Sequence, residues 1–437
     1  MPTLLGVLLL LATSSLPVRP AESEYEKDVA FALQEIEKKC SGFIAAKKID
    51  WKKVSAEMTK AAKSVKSPEE HLLLLTRMIA RLRDGHAEVR PLEKGQGIRA
   101  PEELRGEREG PGMCWCRIGK DYYVKNAFGA AAAAGVKAGD KLVKVNGKSA
   151  DKWVADRMAQ LADLKSFSTD QHALFFTLNG GLYDAPGTRY ALELLAPDGK
   201  KKSKTVACDK AGAAPLFGPA FPPEGIVTQG DLSYGKTKSG FGYVHIRRSA
   251  GDLPAKMDAA LATLKDAPGL ILDYRGNSGG GFDHDAFMGE FIPKGKIMDF
   301  GAEYRSEGKT PYGGPIVVIV NGTVVSAGET GCGAFKEDGR AYMIGESPTA
   351  GMASQKETIE LPSRLFALFV SVHSNKARFN GGKGIEGVGV IPHETLELKA
   401  RDLADGRDTL IERAEAILRD FPQASVLYDP KAFGWGN

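Results

Sequence analysis

The chain is poor in several things, and each shortage removes a class of answer. Cysteine is scarce: Cys40, Cys114, Cys116, Cys208 and Cys332 are five in 437 residues, odd in number and without metal-ligand spacing. A fold stapled by bridges is therefore not expected, although one or two disulfides stay open and the sequence cannot pair them. Cys114 and Cys116 would share one face of a strand, which disfavours a bond between them. Charge of one sign is also lacking, because 59 Lys and Arg stand against 55 Asp and Glu, a net of +4 with no long basic block. Nucleic acid is not suggested as a partner, and the lysine cluster at 200–204 reads as a solvated turn between strands. Long apolar runs are missing after the first dozen residues, so no later segment qualifies as transmembrane.

What the chain does have is an ordinary globular composition, 43% hydrophobic and 26% charged, and length enough for two or three cores. The N-terminus stands apart. An apolar core from Leu4 to Ala12, followed by small residues, fits a secretory signal, with only the terminal amine as positive charge ahead of it. Cleavage fits after Ser14 or after Ala21, an uncleaved anchor is the plain alternative, and the expected location is exported, periplasmic or secreted. Residues 22–98 read as a helical region. Its clearest helix begins at a Ser67/Glu70 capping box with Pro68 in the first turn and stops at Asp84-Gly85, before a strand-like AEVRP.

Residues 99–210 form a β-rich block. MCWCRIG and DYYVKNA alternate, an alanine-rich helix follows, and GDKLVKVNG reads as a turn, a strand and a tight Asn-Gly turn. The segment AAAAGVKAGDKLVKVNG, 131–147, resembles a PDZ domain. That resemblance implies that Gly112, Met113 and Cys114 lie in the loop and strand that receive an extended peptide end. A packing module without a ligand is the bland alternative. Residues 211–400 alternate buried strands with helices and argue for an α/β layer with a largely parallel sheet, and 401–437 read as a helix and tail.

Three segments of the α/β region carry chemistry. RGNSGGG (275–281) joins a buried strand to a helix, and its glycines let backbone N–H groups approach a ligand. VVSAGETGC (324–332) places Ser326 at a helix start, three residues before Glu329, the spacing of a capping box. GIEGVGVIPHE (384–394) embeds Glu386 among glycines. Ser326 is thus either a cap or a nucleophile whose substrate charge the helix end favours.

With GYVHI (242–246), GLILDYRGNSGG (269–280), PIVVIVNGTVVSAGE (315–329), MIGESPTAG (343–351) and EGVGVIPHE (386–394), the chain resembles the C-terminal processing and tricorn-like serine peptidases of family S41. The resemblance implies a ClpP- or crotonase-like α/β catalytic core with an N-terminal helical region and an inserted PDZ-like domain. It makes Ser326 the nucleophile, and the N–H of Ala327 with one from Gly279 or Gly280 the oxyanion hole. The lysine that the processing branch uses as base is absent, since Met352 stands in its place and Lys356 would need a shifted loop. The tricorn-like branch takes a histidine from upstream, and RLRDGHAEV matches it at His86. Glu386 matches that branch's supporting glutamate. Gly85 stands where the branch can carry a hydroxyl, so that contact is expected to be missing.

The bland readings are a helix cap for His86 and a solvated loop acid for Glu386. His245, His284, His373 and His393 show no ligand spacing, and no metal or cofactor is called for. The expected function is a serine endopeptidase acting on protein or peptide substrates through Ser326 and His86. The alternative is an inactive binding protein on the same core. Oligomeric state is not readable.

Overall fold

A computed structural model describes residues 22–213, 217–299, 303–374 and 379–420. The signal-like stretch and the final tail beyond residue 420 lie outside the described residues. The architecture is mixed α/β with several sheets.

Three helices lead the chain, Glu24–Ala46, Trp51–Ala62 and Pro68–Ala80. Ser67 caps the third as its spacing predicts, accepting from the Glu70 N–H at 3.2 Å, while the Glu70 carboxylate reaches the Lys66 N–H instead of closing the box. That helix ends at Ala80, short of Asp84-Gly85, because Arg83 turns into the left-handed region. Its apolar face joins those of the other two helices against an antiparallel sheet of Glu88–Pro91, Phe366–Ser374 and Ser354–Glu360. Two of those strands come from far along the chain, so the helical region is sewn to the residues that follow helix Ala327–Glu337.

The β-rich block is an antiparallel sheet ordered Met113–Ile118, Asp121–Ala127, Lys141–Val145, Arg189–Leu195, Lys201–Ala207. Helices Ala150–Leu164 and Asp170–Thr177 follow the Asn146-Gly147 turn. The lysine cluster at 200–204 is not a turn but largely the start of an edge strand. Lys201 is exposed on this edge strand, where its charge discourages further pairing, while Lys202 donates to the buried Asp140 at 2.8 Å.

The α/β region is a seven-stranded sheet, Glu394–Thr395, Tyr342–Gly345, Ile316–Val320, Leu270–Asp273, Gly242–Ile246, Leu232–Lys236, Val227–Gln229. Its first five strands run parallel and the last two antiparallel. Continuous buried runs such as IVVIV suit a sheet covered on both sides. Helices Leu253–Leu264, His284–Gly289 and Ala327–Glu337 cover one face, and Thr409–Asp420 covers the other. All five cysteines are buried, and no disulfide forms among the described residues. No described helix is long and apolar enough to cross a membrane.

Candidate active site

In parallel sheets the loops at the carboxyl ends of the strands gather over one edge. Here they bring RGNSGGG and VVSAGE together. Ser326 sits between strand Ile316–Val320 and helix Ala327–Glu337 with φ 55° and ψ −124°, a conformation that costs a non-glycine residue about 1–3 kcal/mol. Its surroundings hold it there. The Ser326 N–H donates to Glu329 Oε2 at 3.0 Å, and the Val325 N–H donates to the Asn277 carbonyl at 3.0 Å. Gly279 lies against it so closely that a Cβ there would meet Ser326 Cβ at 2.7 Å.

Glu329 does more than cap. Its buried carboxyl also accepts from Thr349 Oγ1 at 2.5 Å and from the N–H groups of Gly351 and Met352 at 2.7 and 2.8 Å. It therefore ties the helix start to the 349–352 loop. Burial pushes its pKa up to about 8 against the pull of those donors.

His86 arrives from 240 residues upstream. Its Nε2 lies 3.0 Å from Ser326 Oγ, a distance at which the hydroxyl donates to an imidazole protonated on Nδ1. The preceding residues are pinned. Asp84 Oδ1 accepts from the His86 N–H at 3.0 Å, Asp84 accepts from Ser371 N–H and Oγ at 2.7 and 2.9 Å, and the Asp84 N–H donates to Ser166 Oγ at 2.7 Å. Burial first, and then the charge of Lys356, push the His86 pKa down to about 4.

Glu386 completes the cluster from the third segment and is buried. Its Oε1 accepts from Lys47 Nζ at 2.6 Å and from Ser168 Oγ at 2.9 Å. Burial raises its pKa, Lys47 pulls it down, and Asp84 raises it again. Glu386 Oε2 and His86 Nδ1 are both buried without a hydrogen-bond partner. One ligand atom each of Asp84, His86 and Glu386 falls within 4.8 Å of the others. A metal ion would fit that spacing poorly on charge, because both Asp84 oxygens already accept hydrogen bonds and the Lys47 ammonium is seated on Glu386.

The two glycines proposed for the oxyanion hole are not equivalent. The Gly279 N–H is spent on Asn277 Oδ1 at 2.9 Å. The N–H groups of Gly280 and Ala327 meet no acceptor among the described residues, and Gly280 has φ 138°. Gly280 is fixed where it is by a parallel bridge to Ser249.

Gly112, Met113 and Cys114 are not brought to this site, and the expected peptide edge is closed. All three are buried. The Gly112 N–H donates to the Gly212 carbonyl at 3.4 Å, and the Trp115 N–H donates to the Leu178 carbonyl at 2.8 Å. The chain after helix Asp170–Thr177 thus occupies the strand edge that β-augmentation would require.

Met352 fills the space behind the histidine loop. A Cβ on Gly85 would come within 2.7 Å of the Met352 sulfur, so a side chain before His86 would require Met352 to move. Ser168 Oγ accepts from the Gly85 N–H at 2.9 Å and donates to Glu386 Oε1 at 2.9 Å. Ser168, Lys47 and Ser371 carried no sequence signal, since each reaches the site through tertiary packing rather than local spacing. Asp84 alone could have been found, as the acid two residues before the histidine.

Residues 240–396 match the model of peptidase family S41. A Chlamydia pneumoniae protein, CPj1016/CpB1054, is 32% identical over 118 residues, 27% of this chain and 19% of that protein, so the chain spans about a fifth of that relative's length. Among solved structures, mature CPAF is similar with a TM-score of 0.62 and 14% identity, over 91% of this chain and 96% of that one. Mature CPAF complexed with lactacystin is similar to the same degree, with a TM-score of 0.62, 14% identity, and 91% and 97% coverage. At that identity the likeness is one of fold.

Proposed function

From a chain whose 240–396 segment is that of an S41-type serine peptidase, we propose a hydrolase that cleaves peptide bonds in protein or peptide substrates through an acyl-enzyme on Ser326. The observation that carries this reading is the 3.0 Å contact between His86 Nε2 and Ser326 Oγ. His86 takes the hydroxyl proton as Oγ attacks the carbonyl carbon, and returns it to the leaving amine nitrogen as the C–N bond breaks. Water, deprotonated by the same imidazole, then attacks the ester carbon, and the imidazolium returns that proton to Oγ as the acyl C–O bond breaks, releasing Ser326 and the acid product.

The low His86 pKa keeps the imidazole neutral and ready to accept at neutral pH. Glu386 Oε2 supports the imidazolium that forms, closing on His86 Nδ1–H directly or through one water as the site tightens on substrate. The N–H groups of Ala327 and Gly280, both without a protein acceptor, receive the developing oxyanion. Each such donor is worth about 10²–10³ in rate. The 99–210 module, read as PDZ-like, serves here as a wall packed on the core rather than as a peptide clamp, because its strand edge is taken.

A fluorophosphonate probe, with the adduct located by mass spectrometry, tests the reading. The probe is expected to label Ser326 in the full chain, and labelling falls by at least about 10³-fold in His86→Ala. Folded protein that takes no label at Ser326 and cleaves no peptide overturns it.

A further inference from the structure

We propose that Lys47, at the end of the first helix, is a positioning residue for this reaction, holding Glu386 and the histidine loop in a single register. The inference rests on the Ser326/His86 reading and adds the helical region to the working site.

Lys47 directly follows helix Glu24–Ala46. Its Nζ donates to Glu386 Oε1 at 2.6 Å and to the Arg83 carbonyl at 2.6 Å. The first bond fixes the acid, and the second fixes the main chain three residues before His86. Both side chains are withdrawn from water, at 6% exposure for Lys47 and 0% for Glu386. The lysine stem is accommodated because residue 387 is glycine, where a Cβ would lie 3.1 Å from Lys47 Cε, and the ammonium lies 5.4 Å from the centre of the Phe43 ring.

A buried ion pair contributes little net stability once desolvation is counted. What this one supplies is geometry. It clamps Oε1, so that Oε2, the oxygen without a partner, keeps its place beside His86. Glu386 is faced by Lys47 from the first helix, by Asp84 and His86 from the histidine loop, by Ser168 from the loop before helix Asp170–Thr177, and by the buried carboxyl of Glu329 from helix Ala327–Glu337. Of the groups facing it, Lys47 is the cation in contact. Loss of that cation leaves a buried carboxyl next to Asp84, which protonates more readily and ceases to support an imidazolium.

The test is the rate of fluorophosphonate acylation at Ser326 across pH in the full chain, with folding followed by circular dichroism. Lys47→Met is expected to slow acylation at neutral pH by about 10- to 100-fold, with the acid limb moved to higher pH. Lys47→Arg, which keeps a bridging cation, retains most of the rate. In a Glu386→Gln background the same Lys47→Met change has little further effect, because its target is already neutral. That comparison also serves if Lys47→Met alone fails to fold, since the double variant leaves no buried charge unpaired. A Lys47→Met chain with the original rate and pH profile overturns the proposal, as does an equal loss in both backgrounds. A parent chain that never labels at Ser326 sinks the hydrolase reading and this one with it. A parent that labels beside an unaffected Lys47→Met sinks only this one.

Discussion

Ser326 stands at the N-cap position, and its hydroxyl is left for a nucleophile's role because the side-chain bond there comes from Glu329. Its N–H is held by Glu329, while its Oγ lies against His86. The strained backbone at φ 55° turns the hydroxyl out of the helix end and toward a base that local sequence could not supply. His86 in turn owes its readiness to burial, and then to Lys356, whose charge opposes a second positive charge nearby. Lys356 is therefore an electrostatic neighbour rather than a base. Activity is expected to persist in acid below the ordinary histidine range, at about pH 5.5, and to fall only toward the His86 value of about 4. Lys356→Met removes one of the causes of the low value and moves that limb upward. The pH dependence of peptide cleavage or of probe acylation checks both statements. A parent limb near 6.5 would show that the imidazole is not desolvated as described.

At the scale of elements, the site is a meeting of strand ends, and the loop that carries Gly279 and Gly280 needs an anchor. Arg275 supplies it. Its guanidinium is buried between Asp273, at the end of its own strand, and Asp408, at the start of helix Thr409–Asp420. The Arg275 carbonyl is held by His245 Nε2 at 2.8 Å. Asp408 also accepts from the N–H groups of Ala220, Leu410 and Ile411, so one carboxylate joins the last helix to the glycine loop. Asp408→Ala leaves half of a buried pair and an uncapped helix, and should cost about 3 kcal/mol or more of stability by denaturant unfolding. An unchanged midpoint would show that Asp273 alone satisfies Arg275. The strands and the two strand-to-helix junctions were legible in the sequence, because burial on both faces writes continuous apolar runs and tight turns demand glycine. Asp408, Lys47 and Ser168 were not, because a lone polar residue in contact across 133, 339 or 218 positions leaves no periodic trace. The closed edge of strand Met113–Ile118 was illegible for the same reason, since its occupant comes from a later helix.

Over the whole molecule, buried titratable groups set a stability profile with two opposing slopes. His86, His172, His245 and His393 are all held below the ordinary 6.5 by burial, His172 to about 3 and His86 and His393 to about 4. The unfolded chain binds protons on these rings near 6.5 and the fold does not, so their stabilisation is complete above 6.5 and is lost as pH falls toward 4. Buried carboxyls act in the other direction. Glu290 is pushed up to about 7 by burial and by Asp258 and Glu307, Glu329 to about 8, and Glu386 is raised as well, all from 4.5. In Glu290 and Glu329 the fold keeps protons that the unfolded chain has released, so their contribution is present below 4.5 and is lost as pH rises through 7 to 8. Between 4.5 and 6.5 the two slopes oppose each other; outside that window only one acts. The thermal midpoint should therefore peak inside it and decline on both sides, as scanning fluorimetry from about pH 3.5 to 8.5 would register. Glu290 lies away from Ser326, on helix His284–Gly289's trailing end, and Glu290→Gln cannot ionise. It should flatten the alkaline decline while leaving the acid one in place. A midpoint that climbs steadily to pH 8 would mean that these carboxyls are charged in the fold, and that their burial is offset by donors in full.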